Sequence, residues 1–548
     1  PPPVRVDTAG LAGRIVQIPV AEARYASLRA VTDGLAWLRV PVTGNLGEGG
    51  ATPGDAEPRP RLEHFDITAQ RRTELAEELD WFEVSGDGSV LVVSDHGKLS
   101  AVPADRKPDS DNPADRAAID RSRARFLADP AALWRNAYAE AGRFMRHDFW
   151  VADMAEAEWD AVLESYRPLL DRVAGARDFA DLLWEVLGEL GSSHAYVDAA
   201  DDDDEPADAE RGLVGLLGAD LAHDGDGRWS VARVLPGETS DPRARSPLAT
   251  PGAQVGPGDV LLAVDGQLLD GSGPAPLLVG AAGKAVELTI GPAAGGPPRS
   301  AVVTTLRDDR RLRYQDWVAE RRRRVRELSG GRLGYLHVPD MVSEGWADFH
   351  RDLHAEMVCD ALIVDVRGNR GGHTSQLVIE KLARRVIGWS VPRGLRPETY
   401  PQDAPRGPVV ALADEFAGSD GDIVTAAIRA LRLGPVVGTR TWGGVIGIDG
   451  FHRLVEDTGI TVPRYAMWLD GFGWGVENRG VDPDVEVVPS PDDWAAGRDP
   501  QLETAVQLAI EALETRPAAT APDTSGRPSR RRPPLPPRPA PAPAVGTA

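Results

Sequence analysis

The stretch PVVALADEFAGSDGDIVTAAIRALRL, residues 408–433, decides the fold class of the C-terminal part of the chain. Its first piece, PVVALADEF (408–416), is a short apolar run, which is typical of a strand buried on both faces. Its last piece, GDIVTAAIRALRL (421–433), places apolar residues at helical spacing. A buried strand that passes through a small-residue turn into a helix predicts an α/β domain.

Segments on both sides of this stretch repeat the alternation of strand and helix. Further strands are predicted at 331–341, 359–368, 434–441 and 460–468, and further helices at 375–386 and 500–513. A polar helix, RDDRRLRYQDWVAERRRRVREL (307–328), precedes them, and we interpret its arginine run as a solvated face. The α/β domain is therefore predicted to cover residues 307–513.

Ser419 lies between the predicted strand and helix of the opening stretch, and two carboxylates, Asp420 and Asp422, follow it. Serine is a favoured N-cap residue and acids suit the positive end of a helix dipole, so a structural role explains all three. The position also suits a nucleophile, because N–H groups at a helix start can stabilise a developing oxyanion. The stretch lacks the G-x-S-x-G pattern of nucleophile elbows, so both interpretations stay open here.

A serine nucleophile needs a base, and the chain contains ten histidines. His194 directly follows Ser193 in GSSHAYV (191–197), and His373 lies in RGNRGGHTS (367–375). Either side chain could instead be a structural histidine with its hydrogen bonds satisfied. Position in the sequence does not decide between them.

Composition bounds the classes of protein to consider. A chain of 548 residues is expected to form several domains. Acids outnumber bases by 84 to 61, giving a formal charge of −23, which argues against a nucleic-acid binder. The single cysteine, Cys359, excludes an intrachain disulfide and favours the cytoplasm.

Targeting features follow from the same inspection. No apolar run is long enough to cross a membrane, so no membrane partner is expected. The first residues, PPPVRVDTAG, show no signal-peptide pattern and no initiator methionine, so we expect a fragment or a processed product.

Two regions precede the central part of the chain. Residues 1–105 contain two similar strand–turn–strand patterns, which we interpret as the last blades of a truncated β-propeller, with two packed hairpins as the alternative. Residues 113–197 show helical periodicity and predict a small bundle that carries the Ser-His segment. Its aromatic residues, among them Trp159 and Trp184, are expected in the core.

Three other regions complete the chain. Residues 198–210 form an acidic loop without the spacing of an EF-hand, so no metal is expected there. Residues 211–305 predict a small β domain, in which GPGDVLLAVDG (256–266) resembles the PDZ signature. The Pro-rich residues 516–548 are expected to be disordered or polyproline-like.

Four motifs follow the order found in the tail-specific, C-terminal-processing protease clan. They are VDVRGNRGG (364–372), AGSDGDIV (417–424), VVGTRTWGG (436–444) and ENRGVDPDVEV (477–487). A helical bundle ending in Ser-His, then a PDZ-like domain, then the α/β domain narrows the resemblance to the C-terminal half of tricorn proteases. It covers about residues 1–513 and implies a multidomain α+β protein with a ClpP/crotonase-like catalytic domain.

The resemblance implies roles for individual residues. Ser419 matches the nucleophile and His194 the base. Ser193 matches the residue that orients the imidazole, and Glu477 the residue that bonds Ser193, which completes a Ser-His-Ser-Glu tetrad. Taken by itself, Glu477 would be interpreted as a solvated loop acid.

The resemblance also implies the groups that contact the substrate. The backbone N–H groups of Gly372 and Asp420 match the oxyanion hole. The carboxylate of Asp420 resembles a specificity residue that selects Lys or Arg before the cleaved bond. Asp422 is then left as a residue that complements the helix dipole.

Two alternatives are weighed against this interpretation. A C-terminal-processing peptidase with a Ser–Lys dyad needs a lysine in the stretch matched by TRTWGGVIG (439–447), which contains none. A non-catalytic ligand-binding protein of the same fold, as among retinoid-binding proteins, would not need the Ser419 and His194 pair.

The resemblance therefore implies a cytoplasmic serine endopeptidase that needs no cofactor and no metal. Its substrates would be unfolded chains or oligopeptides, such as the products of a larger protease. Homo-oligomers, hexamers in the family, and aminopeptidases that act downstream are the implied partners.

Overall fold

The computed structural model describes residues 9–14, 16–41, 59–109, 112–125, 127–199, 212–225, 227–238, 241, 244–532 and 534–537. The chain divides into two compact units, Pro1–Ala128 with Glu238–Arg245, and Asp129–Gly237 with Ser246–Ala548. Most of the acidic loop predicted at 198–210 lies outside the described residues, and so does any metal site there. Among the described residues, none of the helices combines the length and apolar character needed to cross a bilayer.

The first unit contains two antiparallel sheets, each of four strands in sequential order. The first sheet consists of β1 (Arg24–Val31), β2 (Gly34–Val40), β3 (Arg61–Asp66) and β4 (Arg71–Ala76). The second consists of β5 (Trp81–Val84), β6 (Val90–Asp95), β7 (Lys98–Pro103) and β8 (Ala117–Ile119). His96 and Gly97 have φ of 47° and 71°, the conformation that a two-residue hairpin turn requires. Four-stranded antiparallel sheets of this kind are the repeating element of a propeller, which is consistent with the blades predicted for residues 1–105.

The second unit begins with helices α1 (Pro130–Asp148), α2 (Trp159–Tyr166) and α3 (Ala176–Gly188), followed by the short strand β9 (Val197–Asp198). Trp159 is fully buried in their common core, as expected. Trp184, also expected in the core, is 45% exposed and lies beside Tyr196, with ring centroids 6.1 Å apart. Leu454, Ile460 and Val462 from the α/β domain complete this core.

The PDZ-like part is an antiparallel sheet with the strand order β10-β11-β12-β14-β15 and with β13 paired to β12. Its strands are β10 (Ala219–His223), β11 (Trp229–Val234), β12 (Val260–Val264), β13 (Gln267–Leu268), β14 (Ala285–Gly291) and β15 (Arg299–Thr304). In β14 the residues alternate between buried and exposed, as expected of a sheet with one covered face.

A parallel sheet of five strands, in the order β16-β17-β20-β21-β24, forms the centre of the α/β domain. These strands are β16 (Leu333–His337), β17 (Ala361–Asp365), β20 (Val409–Ala413), β21 (Val436–Gly438) and β24 (Val485–Glu486). All five residues of β20 are buried, as its apolar run predicted. Smaller sheets pair β18 (Gly388–Ser390) with β19 (Glu398–Tyr400), and β22 (Phe451–Arg453) with β23 (Gly459–Thr461) and β9.

Helices cover both faces of the parallel sheet. On one face lie α5 (Ser343–Glu356), α6 (Ser375–Leu382) and α7 (Asp420–Ala430). On the other lie α4 (Arg310–Ser329) and α9 (Pro500–Thr515), while α8 (Pro491–Ala495) is a short surface helix. This layering places α7, which begins directly after Ser419, at the carboxyl end of β20.

The arginine run of α4 is a solvated face only in part, because Arg323 and Arg324 are exposed while other arginines of the helix pair with α5. Three arginines reach carboxylates on α5: Arg311 bonds Asp348, Arg322 bonds Asp352 and Arg326 bonds Glu356. The three carboxylates are buried and recur at every fourth residue, and so face one side of α5. Charges on both helices therefore pair within the protein.

The C-terminal part of the α/β domain and the tail differ in extent from the prediction. The strand predicted at 460–468 ends at Thr461, and the proline at 463, which has no N–H to donate to a sheet, follows it closely. The Pro-rich tail is described only in part, and within that part it forms no helix or strand beyond one short turn, Thr524–Gly526. Its first residues contact the domain, because Ala519 exchanges hydrogen bonds with Arg406.

Candidate active site

Ser419 occupies a strained turn between β20 and α7. Its backbone has φ 57° and ψ −119°, and its side chain makes no capping hydrogen bond to the helix. A non-glycine residue in such a conformation costs about 1 to 3 kcal/mol and persists only where its surroundings impose it. The N-cap interpretation therefore does not account for this serine, and the geometry is that of a nucleophile elbow.

Close packing around the turn explains why glycines precede and face Ser419. A Cβ added to Gly371 would lie 2.5 Å from the Cβ of Ser419. A Cβ on Gly418 would lie 2.7 Å from the ring of Trp442. Asn369, fully buried, joins the two loops by accepting hydrogen bonds from Gly371 N and from Gly418 N. Gly371 and Asn369 were not predicted, although they lie in the RGNRGG motif.

The Ser193–His194 segment reaches the site on the small sheet that β9 forms with β22 and β23. Ile460 pairs with Val197, and Gly459 with Asp198. His194 has φ 61°, so this residue too is held in the left-handed region. The hairpin of β22 and β23 packs against the helical bundle, which brings this segment to the α/β domain.

Glu477 holds the Ser193 segment and the loop after β21 together. One carboxylate oxygen accepts from Ser193 N at 2.7 Å. The other accepts from Ser193 Oγ at 3.1 Å, from Val445 N at 2.7 Å and from Ile446 N at 3.1 Å. Ser193 and Glu477 are 284 positions apart in the sequence, so their contact arises only from the fold.

Hydrogen-bond chemistry fixes the tautomer of His194. The Ser193 hydroxyl has one hydrogen, and it donates this hydrogen to Glu477, because a carboxylate can only accept. The contact of 2.9 Å between Ser193 Oγ and His194 Nδ1 must then be a hydrogen bond donated by Nδ1. The lone pair of Nε2 is left free to accept a proton.

The surroundings of the imidazole lower its pKa. Burial disfavours the charged form and lowers the pKa of His194, while the negative charge of Glu477 opposes the shift. Trp442 and Tyr196 contribute to this burial, with ring centroids 5.7 Å and 5.5 Å from that of His194. A neutral imidazole at neutral pH is the form that a general base requires.

His194 and Ser419 line the same cavity, of about 260 Å³. The other lining residues are Tyr196, Arg370, Glu415, Phe416, Gly418 and Trp442. Among the described residues no hydrogen bond joins Ser419 Oγ to His194, and no lysine lines this cavity. His373 is exposed and lies outside the lining, so the structure brings His194 and not His373 to the serine.

Two backbone N–H groups beside the cavity have no acceptor among the residues the structure describes. They belong to Gly372, after the Gly371 turn, and to Asp420, the first residue of α7. Both are the groups predicted for an oxyanion hole. The N-terminus of α7 adds the positive end of its dipole at the same place.

The Asp420 carboxylate does not line the cavity and instead contacts another part of the fold. It is 8% exposed and accepts a hydrogen bond of 3.0 Å from Ser375 N, at the start of α6. The acid that does line the cavity is Glu415, whose carboxylate accepts from Thr439 Oγ1 at 2.6 Å. The predicted specificity residue and the acid nearest the open cavity are thus different residues.

Asp422 does more than complement the helix dipole. Its carboxylate is fully buried and accepts hydrogen bonds from Gly443 N at 2.9 Å and Gly444 N at 3.1 Å, and one from Thr441 Oγ1. Burial raises the pKa of Asp422, and these hydrogen bonds oppose the shift. Asp422 therefore fixes the loop whose next residues bond Glu477.

Comparison with known proteins identifies three domains of the chain. Residues 332–487 match the profile of peptidase family S41, residues 215–308 that of the tricorn protease PDZ domain, and residues 130–188 that of the tricorn protease C1 domain. The fold and these matches define the class of the chain, which is that of peptidase family S41. The chain belongs within it to the tricorn protease family.

Individual relatives extend over most of this chain. Tricorn protease homolog 1 from Streptomyces coelicolor is 58% identical over 523 residues, 95% of this chain and 48% of the relative. Tricorn protease from Thermoplasma acidophilum is 34% identical over 82% of this chain and 41% of its own length. A crystal structure of the tricorn protease superimposes with a TM-score of 0.79 at 32% identity, covering 90% of this chain and 47% of that one. The chain thus spans about half the length of these relatives.

Proposed function

We propose that this chain is a serine endopeptidase that uses Ser419, His194, Ser193 and Glu477 as a catalytic tetrad. The observation that carries the proposal is the hydrogen-bonded series Glu477–Ser193–His194 Nδ1, in a cavity shared with Ser419. Ser419 Oγ attacks the peptide carbonyl while His194 Nε2 accepts its proton, and the imidazolium then protonates the leaving amine. Water hydrolyses the resulting acyl-enzyme by the same proton path.

The oxyanion of each tetrahedral intermediate would be bound by the N–H groups of Gly372 and Asp420. Their lack of an acceptor among the described residues supports this role. Preorganised donors of this kind act without reorganisation during the reaction and make one of the largest contributions to catalysis. A Cβ on Gly372 would lie 2.2 Å from the backbone of Met341, so only glycine fits there.

We also propose a preference for Lys or Arg before the cleaved bond, selected by an acid near the cavity. Asp420 is the residue implied by the family resemblance. Glu415 is the acid whose side chain lines the cavity, while the Asp420 carboxylate is bound to α6. A variant of each acid therefore separates the two candidates.

The remaining proposals concern the setting of the enzyme. Its substrates would be unfolded chains or oligopeptides, such as the products of a larger protease, with aminopeptidases acting on what it releases. As its assembly we propose a homo-oligomer, which is a hexamer by resemblance. As its compartment we propose the cytoplasm. These proposals rest on the family and on relatives of which this chain covers about half the length.

Hydrolysis of fluorogenic peptides bearing Arg, Lys, Leu or Phe before the reporter tests the activity. Wild type is compared with Ser419→Ala, Asp420→Ala and Glu415→Gln. We expect Ser419→Ala to lower kcat by at least about 10³-fold, because loss of a nucleophile removes the covalent route. Replacement of the acid that selects the substrate should reduce kcat/KM for Arg and Lys peptides and leave kcat/KM for Leu and Phe peptides unchanged.

The outcome separates the two classes of function. Cleavage that depends on Ser419 supports the peptidase. A folded wild-type protein that cleaves none of the peptides, and whose Ser419 resists a covalent serine reagent, would favour the non-catalytic binding protein instead.

A further inference from the structure

Thr461, the last residue of β23, contacts the backbone on the C-terminal side of the His194 turn. Its hydroxyl accepts a hydrogen bond of 2.7 Å from Tyr196 N and donates its own hydrogen to the carbonyl oxygen of His194. Its backbone N–H donates to Tyr196 O at 3.0 Å. The side chain is fully buried, so this contact is shielded from competing water.

The position of these bonds matters because the His194 backbone is strained. With φ 61°, His194 adopts a conformation that a histidine leaves unless its neighbours hold it. Glu477 holds the preceding residue through Ser193 N, and Thr461 holds the carbonyl of His194 and the N–H of Tyr196. The turn is therefore held at both ends. At its far end, the Thr461 hydroxyl bonds the His194 carbonyl and Tyr196 N, beside the bond from Thr461 N to Tyr196 O.

The Thr461 hydroxyl bonds a carbonyl group that the pairing of β23 with β9 does not reach. The pairing of β23 with β9 involves Ile460 with Val197 and Gly459 with Asp198, which lie beyond the turn. These pairs place the strand, but neither reaches the His194 carbonyl. Removing the hydroxyl while keeping the β-branched shape would leave the sheet paired and two polar groups of the turn unbonded.

We propose that Thr461 is a positioning residue for the general base. Its hydroxyl fixes the backbone of His194 so that Nδ1 stays on Ser193 Oγ and Nε2 faces Ser419. The proposal rests on the proposed function for its effect on catalysis. The effect on the imidazole itself does not depend on any activity.

The test compares Thr461→Val, which has nearly the same shape without the hydroxyl, with Thr461→Ser, which keeps the hydroxyl. In the full chain we expect Thr461→Val to lower kcat about 10- to 100-fold with little change in KM, since small displacements of a catalytic group cost that much. Thr461→Ser should stay within about threefold of wild type, because the hydrogen bonds are restored.

Two further measurements examine the histidine directly. Modification of Ser419 by diisopropyl fluorophosphate forms an Oγ–P bond, releases fluoride and transfers the serine proton to His194. Its rate should fall in Thr461→Val in parallel with kcat. In NMR spectra of protein with labelled histidines, the signal of the His194 Nδ1–H should shift or broaden in Thr461→Val and keep its wild-type position in Thr461→Ser.

The results distinguish failure of this inference from failure of the proposed function. Thr461→Val with wild-type kcat and an unchanged Nδ1–H signal overturns the positioning role. So does an equal loss of activity in Thr461→Ser, or a loss that only follows the unfolded fraction seen in thermal melts. If wild type proves inactive, the proposed function fails, and the Nδ1–H signal of the two variants still decides whether Thr461 positions the imidazole.

Discussion

Burial of the His194 imidazole sets the pH range in which this side chain can accept a proton. Because its pKa is lowered from 6.5, the base stays neutral somewhat below that pH. The acid limb of kcat/KM, which reports the base of the free enzyme, should therefore have its midpoint below pH 6.5. A pH profile with a peptide substrate measures this. The control His373→Ala should leave the midpoint in place, and a midpoint above pH 6.5 would contradict the assignment.

The same shift affects stability, with a definite sign. The unfolded chain binds a proton at His194 more tightly than the folded chain does. The contribution is thus complete above the unfolded pKa and is lost as the pH falls through the lower folded value. Acid should weaken the fold and the catalytic base over the same pH interval.

Sequence reasoning named the residues proposed to take part in the chemistry and missed residues that hold them in place. Ser419, His194, Ser193 and Glu477 were named from the resemblance, and the hydrogen bonds of the structure connect the last three. Thr461 was not singled out, because its role depends on distant backbone groups that no spacing in the sequence reveals. Glycines and amides such as Gly371 and Asn369 are common in turns and carry no chemical signature.

At the scale of secondary-structure elements, the start of α7 and the loop after β21 act as one structure. Asp422 in the first turn of α7 binds Gly443 and Gly444, and the next two residues of that loop bind Glu477. The turn that carries the proposed nucleophile, Ser419, and the loop that bonds Glu477 are therefore linked through one carboxylate.

Replacing Asp422 should break this link. In Asp422→Asn, the NH₂ group of the new amide replaces one carboxylate oxygen and faces a donor instead of accepting from it. A buried donor left without an acceptor in this way costs about 1 to 3 kcal/mol. We expect the free energy of unfolding to fall by that amount and kcat to fall about 10- to 100-fold, since the loop also holds Glu477. Chemical denaturation and peptide hydrolysis measure the two effects.

The matched control is Asp348→Asn, another buried acid of the same domain, whose partner is Arg311 on α4. It should lower stability while leaving kcat of the folded molecules unchanged. Equal kcat in the two folded variants would show that the loop does not depend on Asp422.

The presence of a strand could be predicted where all of its residues are buried. The end of a strand was predicted less well where it depends on which residues can pair with a neighbouring strand. The run of β20 is apolar throughout and was recognised, and so was the helix that follows it. The strand at 460–468 was predicted too long, because the alternation after Thr461 resembles a strand while a proline prevents pairing. Trp184 shows that helical periodicity identifies an apolar face but not the partner that covers it.

At the scale of the whole molecule, all four tetrad residues belong to the second compact unit. Residues 129–548, with a glycine–serine linker of equal length in place of 238–245, should fold and keep the Ser419 geometry. We expect its modification by diisopropyl fluorophosphate to stay within about tenfold of the full chain, because every contact described at the site lies inside this unit. A folded fragment that reacts no faster than its Ser419→Ala variant would contradict this.

The ring of donors around Glu477 has a consequence for isotope effects. Its oxygens accept four hydrogens, from two groups of Ser193 and from two loop amides, and the oxygen that faces Ser193 Oγ accepts three of them. Transfer of the Ser193 proton to that oxygen would weaken its hydrogen bonds to both loop amides. We therefore expect that a single proton moves when Ser419 attacks. Rates measured in mixtures of light and heavy water should then fall on a straight line against the deuterium fraction, whereas a bowed plot would mean that a second proton moves through Ser193.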